Sequence, residues 1–145
     1  MLREAGLSET VKKGIPREHC IYVARKRGND EIAPSDDLYR DFDERKKRLE
    51  SEYGKGSDEA HNRAFLECDY ERRFRENILK DPEAMKKLES ISARSGTREI
   101  YLVCYEGRSK ACHRRILLRM AEELFAAEIV IEGIEPKAKR TGTME

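Results

Sequence analysis

The sequence predicts a small α/β domain with a mainly parallel sheet flanked by helices, in Rossmann-like layering. Two short apolar runs rich in β-forming residues, 19–25 (HCIYVAR) and 100–105 (IYLVCY), stand on either side of a long stretch with helical periodicity. A strongly amphipathic segment, 112–125, follows the second run, and alternation of strands with helices favours a parallel sheet. At 145 residues the chain has the length of one domain around one continuous core.

Residues 1–18 read as a polar, irregular segment outside the domain, since Gly14 and Pro16 break any helix begun at Ser8. The run at 19–25 reads as a buried strand, and Lys26, Arg27, Gly28, Asn29 and Asp30 form a charged breaker after it. Ser35 then offers a helix cap with Asp36 and Asp37 in the first turn, and Leu38, Phe42, Arg45, Leu49 and Tyr53 recur at helical spacing. Gly54 and Gly56 end that helix. Leu66, Tyr70, Phe74 and Ile78 make a second stripe in steps of four. Pro82 opens a third helix that carries Met85, Leu88 and Ile91, with Gly96 as its stop.

The run at 100–105 is continuous in apolar residues, as expected of a strand covered on both faces. The helix at 112–125 places Ile116, Leu117, Met120, Ala121, Leu124 and Phe125 on one face. Ile129, Val130 and Ile131 read as a last short strand, which bounds the domain at 19–135. The tail at 136–145 has nothing to bury and is expected to be disordered.

Composition narrows the partners. Hydrophobic residues are 38% and charged residues 41%, which implies a small core under a charged surface. Lysine and glutamate at this abundance fit a protein from a hot environment. Thirty basic and 29 acidic residues leave a net charge of +1, so no general attraction to nucleic acid or to a membrane surface follows, and any basic site is local. No apolar run approaches the roughly 20 residues that span a bilayer, and the first residues lack the apolar stretch of a signal peptide. A cytoplasmic protein with four reduced cysteines is expected.

The loop and helix start at 106–115 concentrate the chemistry. A helix start has unpaired backbone N–H groups and a positive dipole end, which favour an anion. Arg108, Lys110, Arg114 and Arg115 stand within eight residues of one another, and arginine grips phosphate or carboxylate in a fork. Cys112 sits where a helix start and neighbouring cations lower a thiol pKa, and His113 beside it can carry a proton. Plainer roles compete. Cys104 inside the apolar strand reads as a small core residue, Cys112 can simply pack at the first turn, His113 can be a structural cap, and Arg115 with Arg119 can form a solvated face. His19 and Cys20 read as structural, away from this site. The loop after Cys104 is one residue short of the rhodanese active loop, and Lys110 stands where thiol phosphatases carry arginine. A metal site of Cys104, Cys112 and His113 is set aside because paired two-residue cysteine spacings are absent, and no cofactor is expected.

Leu102, Val103, Cys104, Tyr105 and Glu106, a short polar loop, and then Cys112, His113, Arg114, Arg115, Ile116 and Leu117 resemble the signature of the domain-of-unknown-function family 488. Its members carry an apolar strand ending in Cys-x-Glu and a Cys-His-Arg helix start. Residues 21–28 are similar to the family's first strand and arginine-bearing loop, and 32–38 resemble the Leu-Ala-Pro-Ser segment of one branch. Lys26 and Arg27 replace the family's usual aromatic-proline pair, and the interval between Tyr53 and Phe65 looks like an insertion. The resemblance implies a compact α/β domain and a pocket that combines Arg25 and Arg27 with Glu106, Cys112, His113 and Arg114. It implies no reaction.

Three functions compete on these grounds. The first is a hydrolase or transferase acting on a phosphorylated small molecule or nucleotide. Arg25, Arg27, Arg108 and Arg114 then bind the anion, while Cys112, His113 and Glu106 perform the chemistry. The second is a nucleic-acid-binding or nucleic-acid-processing accessory, with Arg72, Arg73 and Arg75 extending the basic surface. The third is a module that senses an anion without chemistry.

Overall fold

The computed structural model describes residues 1–137. Its sheet has three parallel strands, β1 (Leu2–Gly6), β2 (Cys20–Tyr22) and β3 (Ile100–Cys104), in the order β1-β3-β2. The run at 100–105 is therefore the central strand, as its continuous apolar character requires: Ile100, Leu102, Val103 and Cys104 are all buried. Register runs from Leu2 opposite Ile100 to Gly6 opposite Cys104 on one side, and from Cys20 opposite Tyr101 to Tyr22 opposite Val103 on the other. All three strands consequently end on one edge, where an open parallel sheet places its ligands.

Residues 2–13 correct the expectation of an irregular start. Leu2–Gly6 is β1, and Leu7–Lys13 is the short helix α1, ended by Gly14 in the left-handed region at φ 63°. The segment gave no strand signal because it carries Arg3 and Glu4 in mid-strand, and Glu4 points into the protein at 3% exposure. A strand interior accepts a carboxylate only where the fold delivers its partners. The expected strand at 129–131 shrinks to one bridge, Ile129 beside Leu2, with backbone bonds from Leu2 to Glu128 (2.9 Å) and from Val130 to Leu2 (3.0 Å).

Between β2 and β3 lie four helices. Helix α2 (Asp36–Tyr53) is capped by Ser35, whose hydroxyl accepts from the Leu38 amide, and it buries Leu38, Phe42 and Leu49. The stripe read as one run divides into α3 (Asp58–Glu67) and α4 (Tyr70–Leu79), parted where Asp69 takes a left-handed φ of 56°. The break rotates the buried face, so that α3 buries His61, Ala64 and Phe65 while Leu66 is exposed. Helix α5 (Pro82–Ser95) has Asp81 as its cap and buries Ala84, Leu88 and Ile91. Helix α6 (His113–Phe125) packs on β1, β3, α4 and α5, and buries Ile116, Leu117, Leu118, Met120 and Ala121, whereas Leu124 is exposed. Pro136 and Lys137 close the described chain, and the rest of the tail, 138–145, lies outside the described residues. Among the described residues no helix is long and apolar enough to cross a membrane.

Candidate functional site

Beyond the strand ends lies a pocket of about 270 Å³. Its walls come from the segment after β2 (Ala24, Arg25, Lys26), from Pro34, from Tyr39 and Phe42 of α2, from His61 and Phe65 of α3, and from Tyr70 of α4. Cys104, Tyr105, Glu106, Ala111, Cys112 and His113 complete it. Much of the wall is aromatic: Phe42 meets Tyr70 edge-on with centroids 5.6 Å apart, and Phe65 stacks on Tyr70 at 4.3 Å.

Cys112 is the N-cap of α6 and makes no side-chain cap bond, so its sulfur lies at the positive end of the helix. The sulfur is 3.8 Å from His113 Nδ1. The other ring nitrogen, Nε2, is 2.7 Å from the Val23 carbonyl, an acceptor that keeps a proton on Nε2 and leaves Nδ1 to exchange one with the thiol. Phe74 holds the ring edge-on at 5.5 Å. Burial opposes ionisation of Cys112, but the Cys104 thiol, the His113 ring and the Arg114 guanidinium outweigh it and hold the Cys112 thiol well below its usual range. Burial likewise opposes a charged His113, but the Cys112 sulfur and the Val23 carbonyl raise it. Both shifts act in the same direction, favouring movement of the Cys112 proton onto the His113 ring.

Two acids flank the pair. Cys104 donates to Glu106 Oε1 at 3.3 Å. Its hydrogen bond with Cys112, together with burial, pushes the Cys104 thiol up, so it remains protonated. Burial and then the charge on Cys112 push the Glu106 carboxyl up, which suits it to donate a proton. The Cys104 and Cys112 sulfurs and a ring nitrogen of His113 all lie within 4.8 Å of one another. The fold thus assembles a cluster that residue spacing alone argued against, because β3 and the start of α6 converge at the sheet edge.

The cations are dispersed. Arg114 and Arg115, 1% and 2% exposed, both reach Glu4: Arg114 Nε donates to Oε1 at 2.8 Å and Arg115 Nε at 2.9 Å. Arg114 also donates to the Glu106 carbonyl (2.9 Å), and Arg115 to the carbonyls of Gly107, Lys110 and Ile134. The Glu132 and Gly133 amides add two further donors to Glu4 Oε2. One carboxylate with two guanidiniums leaves a buried surplus of positive charge, which favours a thiolate on neighbouring Cys112. Arg108 turns outward to Glu9 and Glu132, each at 2.6 Å, and Lys110 pairs with Asp58 at 2.8 Å. Arg27 donates to the Tyr105 hydroxyl at 3.0 Å and lies over the Tyr22 ring. Arg25 lines the pocket, pairs with Asp36 and lies 4.3 Å over Tyr39.

A family model described as the active DUF488-N3 subclade matches residues 4–124, most of the chain. The chain belongs to the DUF488-N3a family. No curated protein and no solved structure matches it.

In this DUF488-N3a chain the fold gathers Arg25, Glu106, Cys112 and His113 at one pocket. Arg114 lies behind that pocket with Glu4, while Arg27 and Arg108 lie outside its lining. Two groups were missed. Glu4 sits in the segment read as irregular. His61 lies in the interval read as an insertion, where its Nε2 is 2.8 Å from the Ala111 carbonyl. Asn62 beside it accepts from the Ala111 amide (2.8 Å) and donates to the Ser109 carbonyl (3.0 Å). The interval between Tyr53 and Phe65 thus clamps the loop that precedes α6. Burial keeps the His61 ring below its ordinary pKa, so it faces the pocket neutral. A histidine on a helix carries no sequence signal separating this role from a surface one.

Proposed function

We propose that the chain is an enzyme of covalent thiol catalysis, a transferase or hydrolase acting on a phosphorylated small molecule or nucleotide. The observation that carries this reading is the Cys112 sulfur beside a histidine ring whose far nitrogen is held by a backbone carbonyl, facing an aromatic-walled pocket. The matching family description, an active subclade, fits it. A flat apolar portion of the substrate packs against the wall formed by Phe42, Phe65 and Tyr70, and its anionic group meets Arg25 and Lys26 at the mouth. Arg27 strengthens the positive field from outside the lining and Arg114 from behind it, whereas Arg108 is neutralised by Glu9 and Glu132.

Cys112 Sγ attacks the electrophilic atom and forms a bond to it. The bond to the leaving group breaks, and that group takes the proton of Glu106. Glu106, now a carboxylate, accepts a proton from water or an acceptor hydroxyl, whose oxygen displaces Cys112 and frees the product. His113 remains charged throughout and steadies the thiolate.

Iodoacetamide alkylation, mapped by mass spectrometry, tests the reading. Near pH 6.5, about two units below an ordinary thiol pKa, Cys112 labels at least about tenfold faster than Cys20, whose thiol is pushed up by burial. Inorganic phosphate or a nucleoside monophosphate slows the Cys112 reaction. Slow labelling with no protection by either anion overturns the proposal.

A further inference from the structure

We infer that the pocket also binds a soft divalent cation, zinc foremost, through Cys104 Sγ, Cys112 Sγ and His113 Nδ1, with the Glu106 carboxylate as fourth donor. This deepens the catalytic reading by naming a regulator of the same site, since a metal on Cys112 occupies the lone pairs the nucleophile needs.

The donor set argues for it first. Two thiolates and an imidazole select zinc over magnesium or calcium, which require oxygen ligands. Spacing argues second. Tetrahedral zinc holds sulfur and nitrogen or oxygen donors roughly 3.5 Å apart. Cys112 Sγ to His113 Nδ1 is 3.8 Å, and Cys104 Sγ to Glu106 Oε1 is 3.3 Å. The two sulfurs and the ring nitrogen already lie within 4.8 Å of one another, and Glu106, beside Cys104, completes the set by turning toward them.

Support behind the ligands argues third. A metal-bound histidine commonly donates its other N–H to a carbonyl or carboxylate that fixes the ring, and the Val23 carbonyl at 2.7 Å from His113 Nε2 occupies that place. Arg114 and Arg115, sharing one carboxylate, supply positive charge behind an anionic ligand set. The pocket that exposes the cluster gives the ion its path. Ligation displaces the protons of the Cys104 thiol, the His113 Nδ1 and the Glu106 carboxyl to solvent.

Cobalt(II) titration of the metal-free protein, reduced with a phosphine and kept without oxygen, tests the inference. One equivalent of Co2+ develops the intense visible bands of a tetrahedral site and a thiolate-to-cobalt charge-transfer band, and Zn2+ bleaches both. Cys104→Ser and Cys112→Ser each weaken cobalt by at least the roughly 10–100-fold that loss of an outer partner costs, with folding checked by circular dichroism. Cys20→Ser and Cys68→Ser retain the bands. Absence of the charge-transfer band in the wild-type protein, or its persistence at undiminished cobalt affinity and intensity in Cys104→Ser, overturns the inference. Alkylation of the wild-type protein in chelator reports on the catalytic thiol separately. A reactive Cys112 without cobalt bands removes the metal site alone, and cobalt bands on an unreactive Cys112 remove the catalytic reading alone.

Discussion

Glu4 holds together the loop after β3 and the start of α6, because Arg114, Arg115 and the Glu132 and Gly133 amides all converge on its two oxygens. The same crowding dictates Gly133: a Cβ there meets the Arg115 guanidinium at 1.9 Å. Glu4→Gln keeps the shape but leaves two buried guanidiniums without a carboxylate. Breaking a buried pair in this way costs about 3–5 kcal/mol, to be read as a lowered midpoint in urea unfolding. Removal of an exposed partner is the contrast. Arg108 is half exposed where it meets Glu9 and Glu132, and Arg108→Ala leaves the urea midpoint nearly unchanged, since solvent screens such pairs. Equal effects at both positions count against a buried network.

At the scale of elements, β1 is what the irregular reading of the first 18 residues omitted. Leu2 is fully buried and pairs with Ile100 on one side and Ile129 on the other. Leu2→Ala therefore costs about 2–5 kcal/mol in chemical unfolding, whereas a segment outside the domain would tolerate it. The division of α3 from α4 follows from Asp69, since Asp and Asn adopt the left-handed region more readily than most residues. That break turns His61 and Phe65 toward the pocket and leaves Tyr70 and Phe74 on the next helix, so the aromatic wall depends on it.

Across the whole molecule, charge is organised as local pairs rather than as one field. Glu9 is drawn down to about 2: burial opposes its charge, but hydrogen bonds from Lys13, Arg108 and the Gly6 amide prevail. Glu4 is lowered too, its burial outweighed by the Glu132 amide and Arg115, while Glu123 and Glu135 are lowered chiefly by Arg75 and Arg119. Each depressed carboxylate contributes stability above its unfolded pKa and loses it as pH falls through its folded pKa. The share of stability that these carboxylates contribute, read from thermal melts, is accordingly complete above about pH 5 and is lost between about pH 4.5 and 2. A protein equally stable at both ends of that window contradicts these pairings.

The sequence alone determined the central strand, the helices α2, α5 and α6, and the Cys112–His113 pair at a helix start, because these features are local. Apolar periodicity, caps and adjacent residues need no knowledge of distant chain. Tertiary structure decided everything that depends on long separations. It made a strand of Leu2–Gly6 by bringing Arg114 and Arg115 to a buried carboxylate some 110 positions earlier. It turned Arg108 outward to Glu9 and Glu132, so that a run of cations along the sequence does not become a cluster in space. It also placed Cys104, read as a core residue, beside Cys112 and Glu106 in the pocket. A linear pattern records which groups are present, and only packing decides which of them neutralise one another and which face a ligand.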